Sequence, residues 1–591
     1  MHVSTSGPLA AAVALALAVA AAPATSTSAP RINGWFPCHD SLAMDKPTTM
    51  PAAPMFECAE VEVPLCYEGI CKSSKTINIF VKRIPAPKPT KPRKALWFLQ
   101  GGPGMSSATM EIAMKKFANF TSGAVDMYTL DHRGTGRSNY LECQAAQAFA
   151  AGSPSGVEID MGEIPNCVKD VMFQIDNNPQ AFSVTSAAKD VVYLINALNA
   201  DDAEVYVYGG SYGTYWGSRV MHLAPKQVKG YILDGVVDEK SATFTTWNQN
   251  RRFAESRYLK MCEKDKFCSS KLAKEIKAHG SLSAALTALF KTLDSAPKGK
   301  NKCADSLRGM TADTLPSHLL RSYLGQKIQN DPTRVVVPAL IHRMYNCDAK
   351  DYAFLEKVLS ASSESGEGDF MSAGAPTAKD LVMSNANLLS SLIKASEMWT
   401  TPSPSWGDAM KSYEAGLFST SLQLDYTMVC FLRGNFKDPV CEHVVKSYPG
   451  VDFSQIKMAG FLYKPDAYWH KYASIPSHAS AMVINGGLDF QTPSEWGTAE
   501  YEGLSGDGEK ILVEFDTGVH CAGIMGQTAS DMSFCGYRII SSYVLGGGKV
   551  GKVDTSCMKT LPAFNFADLN AIKAVFPKLS LKSADELYDS K

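Results

Sequence analysis

The chain has 591 residues, 45% of them hydrophobic and 20% charged, which is enough apolar material for a large core in several domains or in one domain with a big insertion. Its 58 Lys and Arg balance 59 Asp and Glu, with no long block of either sign. That balance excludes the electrostatic footprint of a nucleic-acid or anionic-membrane binder.

The first 30 residues carry no Lys, Arg, Asp or Glu, and residues 9–22 are an unbroken run of Ala, Val and Leu followed by small residues. Residues 1–29 therefore read as a secretory signal peptide, cleaved between Ala22 and Ala29, and the mature protein is expected to be secreted and extracellular. No later stretch is apolar for long enough to span a bilayer. Fifteen cysteines fit an oxidising compartment, and neither Cys-x-x-Cys nor His-Glu-x-x-His spacing is present, so no metal and no cofactor are expected. Proximity along the chain suggests the pairs Cys38 with Cys58, Cys66 with Cys71, Cys143 with Cys167, Cys262 with Cys268, Cys430 with Cys441 and Cys535 with Cys557. The odd count leaves at least one thiol unpaired, and Cys521 is the candidate. Asn119-Phe120-Thr121 is a glycosylation sequon, and the basic run at 88–94 alternates with prolines like an exposed linker.

Residues 76–84 alternate like a strand, and 95–100 and 125–131 are short buried runs. Residues 186–198 have helical apolar spacing, 204–209 ("EVYVYG") form a strand, 212–225 a helix and 230–235 a strand. Strands that alternate with helices argue for an α/β fold with a mostly parallel sheet flanked by helices on both faces. From 240 to 471 the pattern becomes helical and irregular, with a Ser/Gly-rich stretch at 360–377 expected to be a mobile loop. The βα pattern returns with a strand at 480–486, a helix near 492–503, a strand at 511–516 and a helix near 535–545. The simplest organisation is a catalytic domain in two parts, 30–239 and 472–591, interrupted by a large inserted helical cap at 240–471.

Gly209-Gly210-Ser211-Tyr212-Gly213 lies between a strand and a helix. A serine on such a tight turn is lifted above the sheet edge, and the glycines are needed where side chains would meet backbone. Ser211 is thereby presented as a nucleophile, which needs a base oriented by an acid. Turns after two later strands supply Asp489 ("NGGLDFQTP") and His520 ("FDTGVHCAG"), and the chain order Ser211, Asp489, His520 is that of an α/β-hydrolase. Asp234 is a second candidate acid, with a structural role at the cap junction as its other explanation. "LQGGPG" at 99–104 can turn backbone N–H groups toward the serine, so the oxyanion hole falls to Gly101 or Gly102, preferably Gly102, and to the N–H of Tyr212. Asp131 and Arg133 of "LDHRGTGRS" are expected to brace these turns, and the lysine of a phosphate-binding loop is missing there.

"GGPG", "DHRGTGRS", "GGSYGT", "GGLDFQTP" and "GVHC", in this order, resemble the motif series of the prolyl-aminopeptidase and tripeptidyl-aminopeptidase family of secreted serine peptidases, and "CAEVEVPLCY" resembles the start of its secreted members. The resemblance implies an α/β-hydrolase fold and an exopeptidase that cuts peptide substrates near a free amino terminus without metal or cofactor. The chain departs from the family at Gln100, where members commonly carry His, and at Val519-His520-Cys521, where Gly-His-Gly is usual. Cap carboxylates are implied as binders of the substrate ammonium group, with Glu397 and Glu255 as the positions considered. Two other functions use the same residues: a carboxylesterase or lipase on this scaffold, and a catalytically inactive hydrolase-fold binding protein, against which the intact Ser, Asp and His set argues.

Overall fold

The computed structural model describes residues 30–41, 55–143, 146, 162–308, 314–364, 386–420, 423–434, 436–450, 452–453, 460–524 and 532–588. The segment at 1–29, expected to be a signal peptide, and most of the Ser/Gly-rich stretch at 360–377 lie outside them.

Nine strands make one sheet: β1 (Phe36–Cys38), β2 (Phe56–Pro64), β3 (Thr76–Ile84), β4 (Lys94–Leu99), β5 (Val125–Leu130), β6 (Glu204–Gly210), β7 (Val228–Asp234), β9 (Ser480–Gly486) and β11 (Lys510–Phe515), while β8 (Ser474–Ile475) and β10 (Ser505–Gly506) pair separately. Their order across the sheet is β1-β2-β3-β5-β4-β6-β7-β9-β11. Every pairing from β5 to β11 is parallel, and β1, β2 and β3 continue the sheet antiparallel from one edge. The residue patterns explain this division. All residues of "KALWFL" in β4, "VDMYTL" in β5 and "SAMVING" in β9 are buried, as strands covered on both faces must be. In β2, burial largely alternates, which suits an edge with one wet face. The linker at 88–94 ends earlier than expected, because Lys94 begins β4 and ion-pairs with Glu204 of β6.

Helices α1 (Met110–Phe120), α2 (Ile164–Gln174), α3 (Val184–Leu198) and α4 (Tyr212–Leu223) fall between the early strands, and Ser494–Gly503 and Met532–Leu545 follow β9 and β11. One face packs Trp97 and Val207 against Val191 of α3 and Trp216 of α4. The other packs Phe98 and Tyr208 against Phe117 of α1 and Ile540. The described residues between β7 and β8 are mostly helical, starting with α5 (Trp247–Lys264). The earlier helices have their own core around Tyr258, Leu289 and Leu340, while Leu389, Trp399 and Phe431 join the core on the Trp97 face of the sheet. Phe566, Ile572 and Leu587, from the end of the chain, pack into the core around Tyr258.

All six expected disulfides form, and Cys303 with Cys347 adds a seventh across 44 residues of the helical segment. Cys521 is free and buried. Among the described residues no helix is long and apolar enough to cross a membrane.

Candidate active site

Four turns meet at the carboxyl ends of the central parallel strands. Ser211 directly follows β6 with φ 57 and ψ −129, a backbone conformation that non-glycine residues seldom adopt, and α4 begins at the next residue. The turn is held by bonds on both sides: Ser211 N–H donates to Asp234 O at 3.0 Å, and the Ser211 carbonyl accepts from Thr214 N at 2.8 Å. Both outer glycines are sterically required. A β-carbon on Gly209 would lie 2.1 Å from Gly213 O, and one on Gly213 would lie 2.2 Å from Leu99 O. The side chain of Ser211 faces the β4 turn, its Oγ 3.2 Å from where Gly101 would carry a β-carbon.

Asp489 is fully buried just beyond β9, and its carboxylate is saturated. Oδ1 accepts from the N–H groups of Gln491 at 2.7 Å and Thr492 at 2.8 Å; Oδ2 accepts from Thr492 Oγ1 at 2.8 Å and His520 Nδ1 at 2.8 Å. With its Nδ1 proton committed to Asp489, the imidazole keeps Nε2 as its basic nitrogen. Burial alone would lower the pKa of His520, but the Asp489 carboxylate and then the Cys521 sulfur outweigh it, and the pKa rises well above the ordinary value of 6.5. The ring stands over Gly235, where a β-carbon would come 3.2 Å from His520 Cε1 and 2.9 Å from Cys521 N. Since Gly235 follows the Asp234 carbonyl that holds Ser211, the ring and the serine share one corner of the sheet. Among the described residues no direct hydrogen bond joins Ser211 Oγ to His520, a contact that commonly tightens only with substrate present.

Asp234 has another task. Its carboxylate, buried beneath this corner, accepts from Tyr208 OH at 2.7 Å and from Gly523 N at 3.1 Å, and burial pushes its pKa up to about 7. The β4 turn is clamped by its neighbours. Asp131 accepts from Ser107 N at 2.7 Å and Arg137 Nε at 2.8 Å, while Thr135 Oγ1 donates to Gly104 O at 2.6 Å. Arg133 forks onto Asp190 of α3 at 2.6 and 2.5 Å and reaches Leu65 O at 2.8 Å. The "DHRGTGRS" segment thus ties the turn after β4 to β2 and α3.

Gly102, Ser211 and Tyr212 open on one cavity of about 210 Å3, walled on the helical side by Phe244, Trp247 and Arg251. Trp247 and Arg251 were missed in the sequence, although their i, i+4 spacing at the start of α5 puts both on one helix face. A second cavity of about 270 Å3, at Arg93, Asp126 and Asn199, lies by the amino ends of β4 and β5, away from Ser211. Neither carboxylate considered for substrate binding lines the cavity beside Ser211. Glu397 is buried against Arg219 Nη2 at 3.0 Å and Tyr463 OH at 2.8 Å, and Glu255 accepts from Phe418 N at 2.9 Å and Leu417 N at 3.1 Å. Among the described residues no group of three His, Cys, Asp or Glu is placed to hold a metal ion.

A family model described as alpha/beta hydrolase fold matches residues 94–267. No curated protein sequence matches the chain. Solved structures similar to it include an esterase from Exiguobacterium antarcticum, at 11% identity over 79% of this chain and 96% of that one, with a TM-score of 0.28. A proline iminopeptidase from Mycobacterium smegmatis aligns at 12% identity over 80% of this chain and 96% of that one, TM-score 0.30. An esterase from Thermogutta terrifontis aligns at 10% identity over 83% and 99%, TM-score 0.30. With the sheet order above, the chain has the α/β-hydrolase fold, with a mostly parallel sheet flanked by helices and an additional helical region.

Proposed function

We propose that the protein is an exported serine hydrolase that cuts peptides near a free amino terminus through an acyl-enzyme. The observation that carries the hydrolase reading is the 2.8 Å bond from His520 Nδ1 to a saturated Asp489 carboxylate, in the same corner as a serine held on a strained turn. In this reading Ser211 Oγ attacks the scissile carbonyl while His520 Nε2 takes its proton. The resulting oxyanion is held by the N–H groups of Gly102 and Tyr212. His520 then protonates the leaving amine as the C–N bond breaks, and a water activated by the same ring releases the acyl group. Asp489 keeps the ring in one tautomer and stabilises the imidazolium. The helical segment 240–471 acts as a cap over the cleft, and seven disulfides support an extracellular setting. The peptidase reading itself rests on the motif series that begins with Gly-Gly-Pro-Gly and ends at His520.

Incubation with peptides bearing free or acetylated amino termini, read by mass spectrometry, tests it. Products released only from free termini are expected, as single residues or as tripeptides. Ester turnover without peptide cleavage would replace the reading by an esterase, and failure of a fluorophosphonate to label Ser211 would leave a binding protein.

A further inference from the structure

Arg251 is the one formally charged side chain lining the cavity beside Ser211, among the described residues. It is 1% exposed, and its partners are few: Nη2 donates to Gly325 O at 2.9 Å, and Nε is buried with no partner. The nearest opposite charges are already committed. Glu255, one turn along α5, spends its oxygens on the N–H groups of Leu417 and Phe418, and Asp489 is bound to His520 and Thr492. Among the described residues Arg251 makes no ion pair, and burial lowers its pKa to about 10 despite those two carboxylates. A desolvated guanidinium with open donors is costly by itself, and an incoming anion relieves that cost with charge-assisted hydrogen bonds.

We propose that Arg251 is a specificity residue that binds a carboxylate of the substrate. The inference rests on the serine hydrolase reading and adds the substrate's charge to it. The planar donor fork of arginine suits a carboxylate, while Phe244, Trp247 and Met398 offer an apolar wall to the body of the same substrate. Two sources share this chemistry, the terminal carboxylate of a short peptide and an acidic side chain near the scissile bond. No Asp or Glu is in the described lining to repel either.

The test compares kcat/KM for two matched pairs of short peptides: one pair differing as C-terminal acid or amide, the other as Glu or Gln beside the scissile bond. Wild-type enzyme is expected to prefer the charged member of one pair by about 10- to 100-fold, the scale of hydrogen bonds to a charged group. The pair that discriminates identifies the source. In Arg251→Met that ratio is expected to fall to about one whatever the absolute rate, with Arg251→Lys between the two. Equal rates within both pairs for wild type, or a preference that survives in Arg251→Met, would overturn the proposal. Fluorophosphonate labelling of Ser211 in the same samples separates this outcome from failure of the hydrolase reading, because an unlabelled wild type would refute the nucleophile and not the carboxylate site.

Discussion

Arg219 and Glu397 meet at 3.0 Å with both side chains almost fully buried, one on α4 two turns beyond Ser211 and the other at the end of a helix between β7 and β8. Burial opposes the charge on Arg219, and Glu397 outweighs it and raises the pKa. Tyr215 OH and Tyr463 OH also donate to Glu397, so the carboxylate is satisfied from both sides of the junction. The pair fastens the helix that starts at Ser211 to the segment that walls the cavity.

Removing Glu397 leaves the buried Arg219 with only Asp466, at 3.4 Å and partly exposed, as a counter-charge. Glu397→Ala is expected to destabilise the protein by about 3 to 5 kcal/mol. Replacing both with apolar residues of similar volume, Arg219→Met with Glu397→Leu, should recover only part of it, because the buried hydroxyls of Tyr215 and Tyr463 lose their acceptor. Urea unfolding of the single and double variants checks both statements, and a single variant as stable as wild type would contradict them.

Ser211→Ala should abolish fluorophosphonate labelling and reduce kcat on the order of 10⁴-fold or more while the thermal midpoint changes little. Intact-mass spectrometry after labelling reads the first effect and steady-state rates the second.

The raised pKa of His520 sets the direction of the pH dependence. On the proposed mechanism the ring must be neutral to take the serine proton, so the acidic limb of kcat/KM should lie above the range of an ordinary histidine, and activity should climb as pH rises through it. Asp489→Asn removes the raising charge, and both the limb and the rate should drop, the rate about 10⁴-fold. For stability the sign is opposite. The His520–Asp489 bond contributes fully below the unfolded pKa near 6.5, and its contribution is lost as pH rises through the folded one.

Two glycine substitutions should separate packing from access. In Gly209→Ala the new β-carbon would meet the Gly213 carbonyl oxygen at 2.1 Å, a clash with backbone that has nowhere to go. It should cost about 3 kcal/mol of stability. In Gly101→Ala the carbon would press on Ser211 Cβ at 2.7 Å and Gly210 O at 2.9 Å, so turnover should fall about 100-fold or more with a smaller loss of stability. Differential scanning calorimetry beside rate measurements distinguishes the two patterns.

Opening Cys303–Cys347, which closes 44 residues of the helical segment, should lower stability by about 2 to 5 kcal/mol. Cys303→Ala with Cys347→Ala, compared with wild type by chemical denaturation, gives the value directly.

Much of this could be read along the chain because the signals were local. The strands "KALWFL", "VDMYTL" and "SAMVING" announce double burial in their own residues, and glycines at 209 and 213 are demanded by a turn a few residues long. Six of the seven disulfides close 24 residues or fewer, which is why proximity found them, and the seventh, at 44, was not found that way. β1, α2 and the packing of Phe566 and Leu587 on the helical segment carried no comparable local mark.

By itself, then, the sequence determined the βα alternation, the turn that lifts Ser211, and the chain order of Ser211, Asp489 and His520, since each depends on periodicity or backbone sterics within a short window. Tertiary structure alone decided what surrounds that serine. Glu397 and Glu255, free carboxylates as far as the chain order tells, were drawn into Arg219 and into backbone N–H groups because a buried charge must be satisfied by whatever the fold brings near. Arg251 was left with open donors at the cavity wall for the converse reason, that the fold brings no uncommitted anion to it.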